Sequence, residues 1–410
     1  MIRSQVHSVV DRLGPVATVS IAQLFGTSLW FSANSAADDL MRTWQASPSD
    51  IGWLTNAVQA GFILGTLIIS LSGAADRFRA STIFVLFSMV GAFFNACFAW
   101  LSHDLGSGAL FRFCVGISLA GVYPMGMKLI VSWAPERTGP ALAQLIAMLT
   151  LGTALPHALR VAGAGLPWQQ AIIASSLLAL AGAFLIHVLG DGPHLRSLPG
   201  KHGPPETNQA THRKPTVFDA FRFKPFRAAA LGYLGHMWEL YTFWTLVPLF
   251  ITHAMLVQRL GFGSTSGLAF CVIGIGAIGC LLGGVMSKWI GSARVAAGAL
   301  ALSGSCCLIF ALGWRDLPPA MLVILLFAWG ASVIADSPQF SALAARSCPP
   351  ELVGSALAIL NSIGFAITVV SIGATAALFE HIGLDAAWLL LPGPVLGLLG
   401  FAPVLRRTEK

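Results

Sequence analysis

Apolar runs of about 20 residues recur along this chain, and the short stretches between them collect most of its charged side chains. An α-helix rises about 1.5 Å per residue and a bilayer's hydrocarbon core is about 30 Å thick, so each run is long enough to cross a membrane as one helix. The pattern predicts twelve spans, near residues 15–37, 50–72, 82–102, 108–131, 139–163, 168–190, 227–253, 262–286, 292–313, 319–341, 354–378 and 385–405. Most connections are short. The exception, 191–226, is rich in Pro, His, Lys and Arg and leaves six spans on either side. The expected architecture is an all-α integral membrane protein with twelve transmembrane helices in two six-helix bundles, 1–190 and 227–410, joined by a cytoplasmic linker at 191–226.

Composition agrees and removes the alternatives. Of the 410 residues, 56% are hydrophobic and 10% charged, against roughly 25% charged in an ordinary soluble domain. With 26 Phe and 12 Trp the chain is also the opposite of a disordered, solvating sequence. The net charge of +7 would suit nucleic acid only if the basic residues shared one face. Instead they fall in short bursts. With both termini inside, eighteen Lys and Arg lie on cytoplasmic segments, Arg77, Arg79, Arg137 and Lys288 among them, and four lie outside: Arg42, Arg160, Arg259 and Arg315. That asymmetry is the positive-inside rule, and it predicts a multi-pass protein of a bacterial inner membrane with cytoplasmic termini. The first residues lack a cleavable signal pattern, so the first apolar run is expected to act as the targeting signal. Seven cysteines sit mostly within apolar runs, without zinc or disulfide spacing. Neither metal nor cofactor is expected.

The two halves echo each other. Pro135-Glu136 and Gly139-Pro140-Ala141-Leu142-Ala143, after span 4, align without a gap with Pro350-Glu351 and Gly354-Ser355-Ala356-Leu357-Ala358 after span 10. A weaker echo sets Gly73–Ser81 against Gly284–Ser292. Repeated units of this kind are how many transporters build a site between two bundles. The glycines 274, 276 and 279 spell a dinucleotide fingerprint, but they lie in mid-span with no preceding strand, where close helix packing explains them.

On these residues the chain resembles the major facilitator superfamily over nearly its whole length. Ser72-Gly73-Ala74-Ala75-Asp76-Arg77-Phe78-Arg79 is similar to the family's Asp-Arg loop after span 2, with Ser72 and Arg79 in place of its glycines. Arg112, Gly116, Gly121 and Pro124, leading to Trp133, Pro135, Glu136 and Arg137, are similar to its second signature. The resemblance implies alternating access by two rocking bundles, a monomer, and a cytoplasmic gate at Asp76, Arg77 and Arg137. In that gate Asp76 would cap the N-terminus of a facing helix, span 11.

Polar side chains inside spans are costly and mark candidate sites. On span 1, Gln23, Thr27, Trp30, Asn34 and Asp38 follow steps of 4, 3, 4 and 4, which places them on one helical stripe. The first four are candidates for substrate contact, and Asp38 either couples protons or reaches the outer interface. Arg112 and Tyr123 share a face of span 4. Arg112 suits an anionic substrate or a structural hydrogen-bonding hub, and the sequence leaves both open. His157 in span 5 and His236 and Tyr241 in span 7 complete the substrate candidates. Glu239, in the densest polar and aromatic cluster of any apolar run, is the first choice for proton coupling, with Asp336 second. The expected function is secondary transport of a small polar or amphipathic organic solute driven by the proton gradient, with coupling without ATP following from the absence of a nucleotide site. A drug or metabolite exporter and a carboxylate or nitrate-like anion facilitator are the alternatives, and a membrane enzyme or sensor is the weakest.

Overall fold

The structure is a computed structural model that describes residues 10–194, 217–261, 263–348 and 353–408. Among the described residues there is no strand. The long helices are α1 (Pro15–Thr27), α2 (Pro48–Leu71), α3 (Ala80–Leu101), α4 (Leu105–Trp133), α5 (Thr138–Ala162), α6 (Trp168–Leu189), α7 (Lys224–His253), α8 (Thr265–Ile290), α9 (Ser292–Gly313), α10 (Pro319–Ser332), α11 (Val353–Ile382) and α12 (Pro392–Thr408). Most of the predicted linker lies outside the described residues; it reappears as a 3-10 turn at Val217–Arg222 leading into α7.

Helix starts follow local chemistry. Ser47 and Asp50 form a reciprocal capping box on α2, with Pro48 at its first position. Asp104 caps α4, its Oδ1 accepting the Ser107 N–H at 2.8 Å. That bond holds the exposed Asp104 carboxyl below its ordinary range. Within the first half α1 is enclosed by α4, α5 and α6; within the second, α7 packs against α11 and α12. Between the halves α2 meets α11, and α5 meets α8. The glycine run of α8 is packing, as the sequence suggested. A Cβ on Gly279 would stand 1.9 Å from the Ala331 carbonyl oxygen, and one on Gly330 of α10 would stand 1.9 Å from that of Val272.

Three predicted spans are corrected. The run 15–37 is not one helix: α1 stops at Thr27, and turns lead through a 3-10 segment, Asn34–Ala36, to a short helix, Ala37–Thr43. Serine hydroxyls compete for the backbone here, Ser28 donating to the Phe25 carbonyl at 2.7 Å and Ser35 to that of Ser32 at 2.7 Å. The run 319–341 breaks after Ser332 and resumes at Ser337–Arg346, where Pro338 has no N–H to continue the ladder. The last run opens as a 3-10 stretch, Gly383–Leu390, before α12. Nine helical segments among the described residues are long and apolar enough to cross a membrane. The interrupted α1 and the polar α7 fall outside that count.

Candidate functional site

Arg112, wholly buried on α4, reaches into the interruption of α1. Its Nη1 donates to Ser32 Oγ and Asn95 Oδ1, each at 2.9 Å, and its Nη2 donates to the carbonyls of Leu29, at 3.0 Å, and Trp30. Ser32 Oγ also donates to Asn95 Oδ1 at 2.6 Å, and Asn95 Nδ2 donates to the Ile172 carbonyl and to Ser176 Oγ, each at 3.0 Å. One cation thus ties α4, α3 and the broken end of α1 together, Asn95 extends the network to α6, and the guanidinium gathers carbonyls that the missing helical turn leaves without N–H partners. The Phe98 ring lies 5.7 Å from its guanidinium carbon.

The acids occupy the other half. Glu239 on α7 is buried and accepts from Ser303 Oγ at 2.8 Å and from Trp329 Nε1 at 2.7 Å, which joins α7 to α9 and α10. One turn earlier, His236 Nδ1 lies 2.8 Å from Asp336 Oδ1, with side chains 1% and 0% exposed. Asp336 is the last residue of the turn that interrupts α10. The sequence placed His236 with substrate and Asp336 with coupling; the fold brings them into contact. Both ring nitrogens of His236 and both carboxyl oxygens of Asp336 are buried without hydrogen-bond partners among the described residues, so the 2.8 Å approach is a charge contact and not a hydrogen bond.

Where the halves meet, aromatic rings from both sides interlock. Trp30, in the interruption of α1, lies 5.0 Å from Phe62 of α2, 5.7 Å from Tyr241 of α7 and 5.7 Å from Phe365 of α11. Phe62 and Phe365 are 4.5 Å apart across the seam, Tyr123 stacks beyond Phe62 at 6.5 Å, and Trp244 stands 5.3 Å from Tyr241. On one side of this plug α2 and α11 are held together by Asn56 Nδ2 donating to the Val369 carbonyl at 3.0 Å. Nearer the helix ends, the Ser49 N–H donates to Glu380 Oε1 at 2.8 Å. The indole N–H groups of Trp30 and Trp244 and both amide atoms of Gln59 are buried without hydrogen-bond partners.

The stripe read from span 1 does not act as one surface, because the helix ends at Thr27. Gln23 lies against Gly126 of α4, its amide without partners. Thr27 donates to the Gln23 carbonyl at 2.8 Å. Asn34 Nδ2 donates to Thr55 Oγ1 of α2 at 2.9 Å. Both ring nitrogens of His157 are buried and unpaired. Asp38 is exposed, while its neighbour Asp39 is buried and takes Arg160 Nη2 at 2.7 Å and Nε at 3.1 Å on one oxygen. Arg77 and Arg137 are exposed in short helical turns. Asp76 lies on the turn Ala74–Arg77, but its side chain, like Pro350, Glu351 and Leu352 before α11, is outside the described residues. Sequence reasoning missed Asn95, Asp39, Ser303 and Phe365. Asn95 alone carried a signal, as a lone amide in the apolar run of α3.

The sequence profile of the Major Facilitator Superfamily matches residues 19–408. The chain belongs to that family. It is 25% identical over 162 residues to the putative niacin/nicotinamide transporter NiaP of Bacillus subtilis (strain 168), covering 38% of this chain and 39% of that protein. It is 29% identical over 96 residues to the niacin transporter NiaP of Acinetobacter baylyi (strain ATCC 33305 / BD413 / ADP1), covering 23% and 21%. The chain therefore spans well under half the length of either relative. The crystal structure of the nucleoside transporter NupG superposes with a TM-score of 0.70 at 13% identity, covering 96% of this chain and 99% of that one. The twelve-helix, two-bundle fold is that of the family, and the chain is a multi-pass membrane protein.

Proposed function

We propose that this facilitator protein moves a small polar or amphipathic organic solute by alternating access, driven by protons. The solute binds at the seam between the bundles, where Trp30, Tyr241 and Tyr123 meet, and the proton is carried within the C-terminal bundle by Glu239 and by Asp336 with His236. The observation that carries the reading is this division of labour: aromatic rings close the seam, and acids without a permanent cationic partner lie buried in one bundle next to it. Buried acids of this kind are expensive and are usual in proton pathways. The names of the similar proteins, which mention niacin, nicotinamide and nucleosides, fit a small organic solute.

In this reading the protein is a monomer of the bacterial inner membrane with cytoplasmic termini and 191–226 as the linker. Asp76, Arg77 and Arg137 form the cytoplasmic gate. Asp39 and Arg160, with Asp38 beside them, latch the outer end, and Arg112 is a structural hub. The test is Glu239→Gln in proteoliposomes. The amide keeps the shape but cannot cycle a proton, so accumulation driven by a pH gradient is lost while solute exchange persists. Accumulation at the wild-type rate removes Glu239 from the coupling path.

A further inference from the structure

The seam carries more chemical information than its position, and on the reading that it is the transport site we infer the class of solute it takes: a small planar aromatic molecule with an in-plane hydrogen-bond acceptor, held flat between Trp30 of the N-terminal bundle and Phe365 of the C-terminal bundle. Three features lead there. First, the two rings are nearly parallel, with an interplanar angle of 23° and centroids 5.7 Å apart. A third ring between them at ordinary contact needs about 7 Å, twice the roughly 3.5 Å carbon contact distance. Because the centroid distance includes lateral offset, turning this contact into a three-ring sandwich needs the planes to part by up to about one ring thickness, roughly 3.5 Å, and parting of the bundles is what alternating access does.

Second, the walls belong to different bundles. Phe62 of α2 and Tyr241 of α7 each contact both walls, at 5.0 and 5.7 Å from Trp30 and 4.5 and 5.2 Å from Phe365. A flat solute then replaces ring-on-ring contact across the seam with contact to both halves at once, which couples its binding to the relative position of the bundles. Third, the indole N–H groups of Trp30 and Trp244 are donors buried without acceptors. A buried donor without a partner is costly, and a ring nitrogen, carbonyl or carboxylate on the solute would supply what is missing. A sugar would bring many hydroxyls to walls made of carbon rings and leave most of them unpaired.

The experiment compares flat and puckered solutes with the same polar group: benzoate against cyclohexanecarboxylate, and benzamide against cyclohexanecarboxamide. Binding to the purified full-length protein is measured by calorimetry, and exchange is measured in proteoliposomes. The expected result is a preference of about tenfold or more for each aromatic member, erased by Trp30→Leu and, independently, by Phe365→Leu, with thermal unfolding confirming that at least one variant is folded. Trp30→Phe keeps the preference for flat rings and weakens binding of both aromatic solutes. Equal binding of the cyclohexane compounds, or a preference that survives both leucine variants, overturns the inference. If organic acids, amino acids, sugars or cationic dyes exchange while neither aromatic compound binds, the inference falls and the transport reading stands. If no solute of any class exchanges, both fall.

Discussion

Two helices of this protein are broken inside their bundles, and the chain treats the two breaks in opposite ways. At the end of α1 the freed carbonyls of Leu29 and Trp30 are taken up by the Arg112 guanidinium, which also binds Ser32 and Asn95. Four of its N–H bonds are spent on neutral acceptors, and Nε alone has no partner. At the end of α10 the break holds Asp336 against His236, and neither polar atom of either side chain has a hydrogen-bond partner among the described residues. A break whose hydrogen bonds are nearly all satisfied is rigid; one that leaves capacity open next to a titratable pair can change state. On the proposed reading, that contrast separates a structural buried cation from a buried acid that couples protons.

The sharpest way to break that comparison is Arg112→Met. Methionine fills part of the volume but strips donors from two backbone carbonyls and an amide, so the expected loss is about 3 kcal/mol or more, enough to threaten folding. Thermal unfolding of the purified protein, or its recovery as a monodisperse species, reports this; a wild-type melting temperature with selective loss of anionic solutes would make Arg112 a substrate group instead. Next comes Asp336→Asn, which preserves size and hydrogen-bonding capacity. Folding is expected to survive, while pH-driven accumulation drops roughly tenfold or more, about 1.4 kcal/mol. Equal accumulation in variant and wild type would reduce the α10 break to packing.

Asp39→Asn probes an ion pair that is only partly buried, with the Asp39 and Arg160 side chains 11% and 21% exposed. A loss of about 1 kcal/mol is expected, read as a modest fall in melting temperature without a change in coupling. Asp104 gives the smallest effect and the solvent-exposed reference for both breaks. Its pKa is lowered on folding, so its stabilising contribution is complete above the unfolded carboxyl's value of about 4 and disappears as pH falls through the folded value. The difference in melting temperature between wild type and Asp104→Ala should therefore narrow on acidification below about pH 4; a difference that widens would contradict the capping assignment.

Much of this was legible in the residues taken in order. Hydropathy and helix length marked the spans, the split of Lys and Arg set the expected orientation, and the echo after spans 4 and 10 gave the expectation of a duplicated six-helix unit. The costly intramembrane groups, Arg112, Glu239 and Asp336, stood out because their polarity conflicts with their surroundings. The two breaks were less legible. Ser28, Ser32 and Ser35 hinted at the first and Pro338 at the second, yet an apolar run long enough to span reads as one helix until its hydrogen bonds can be counted.

Local pattern thus determined which segments enter the bilayer and which polar groups must find company there, because solvation by lipid acts on each residue where it stands. Tertiary structure decided what company each one keeps. His236 and Asp336 are 100 positions apart, as numbered, and Trp30 and Phe365 lie on opposite bundles; nothing in either neighbourhood encodes the 2.8 Å or the 5.7 Å between them. Those distances follow from how twelve helices pack, and with them the difference between a satisfied hub and a break that keeps unpaired polar atoms.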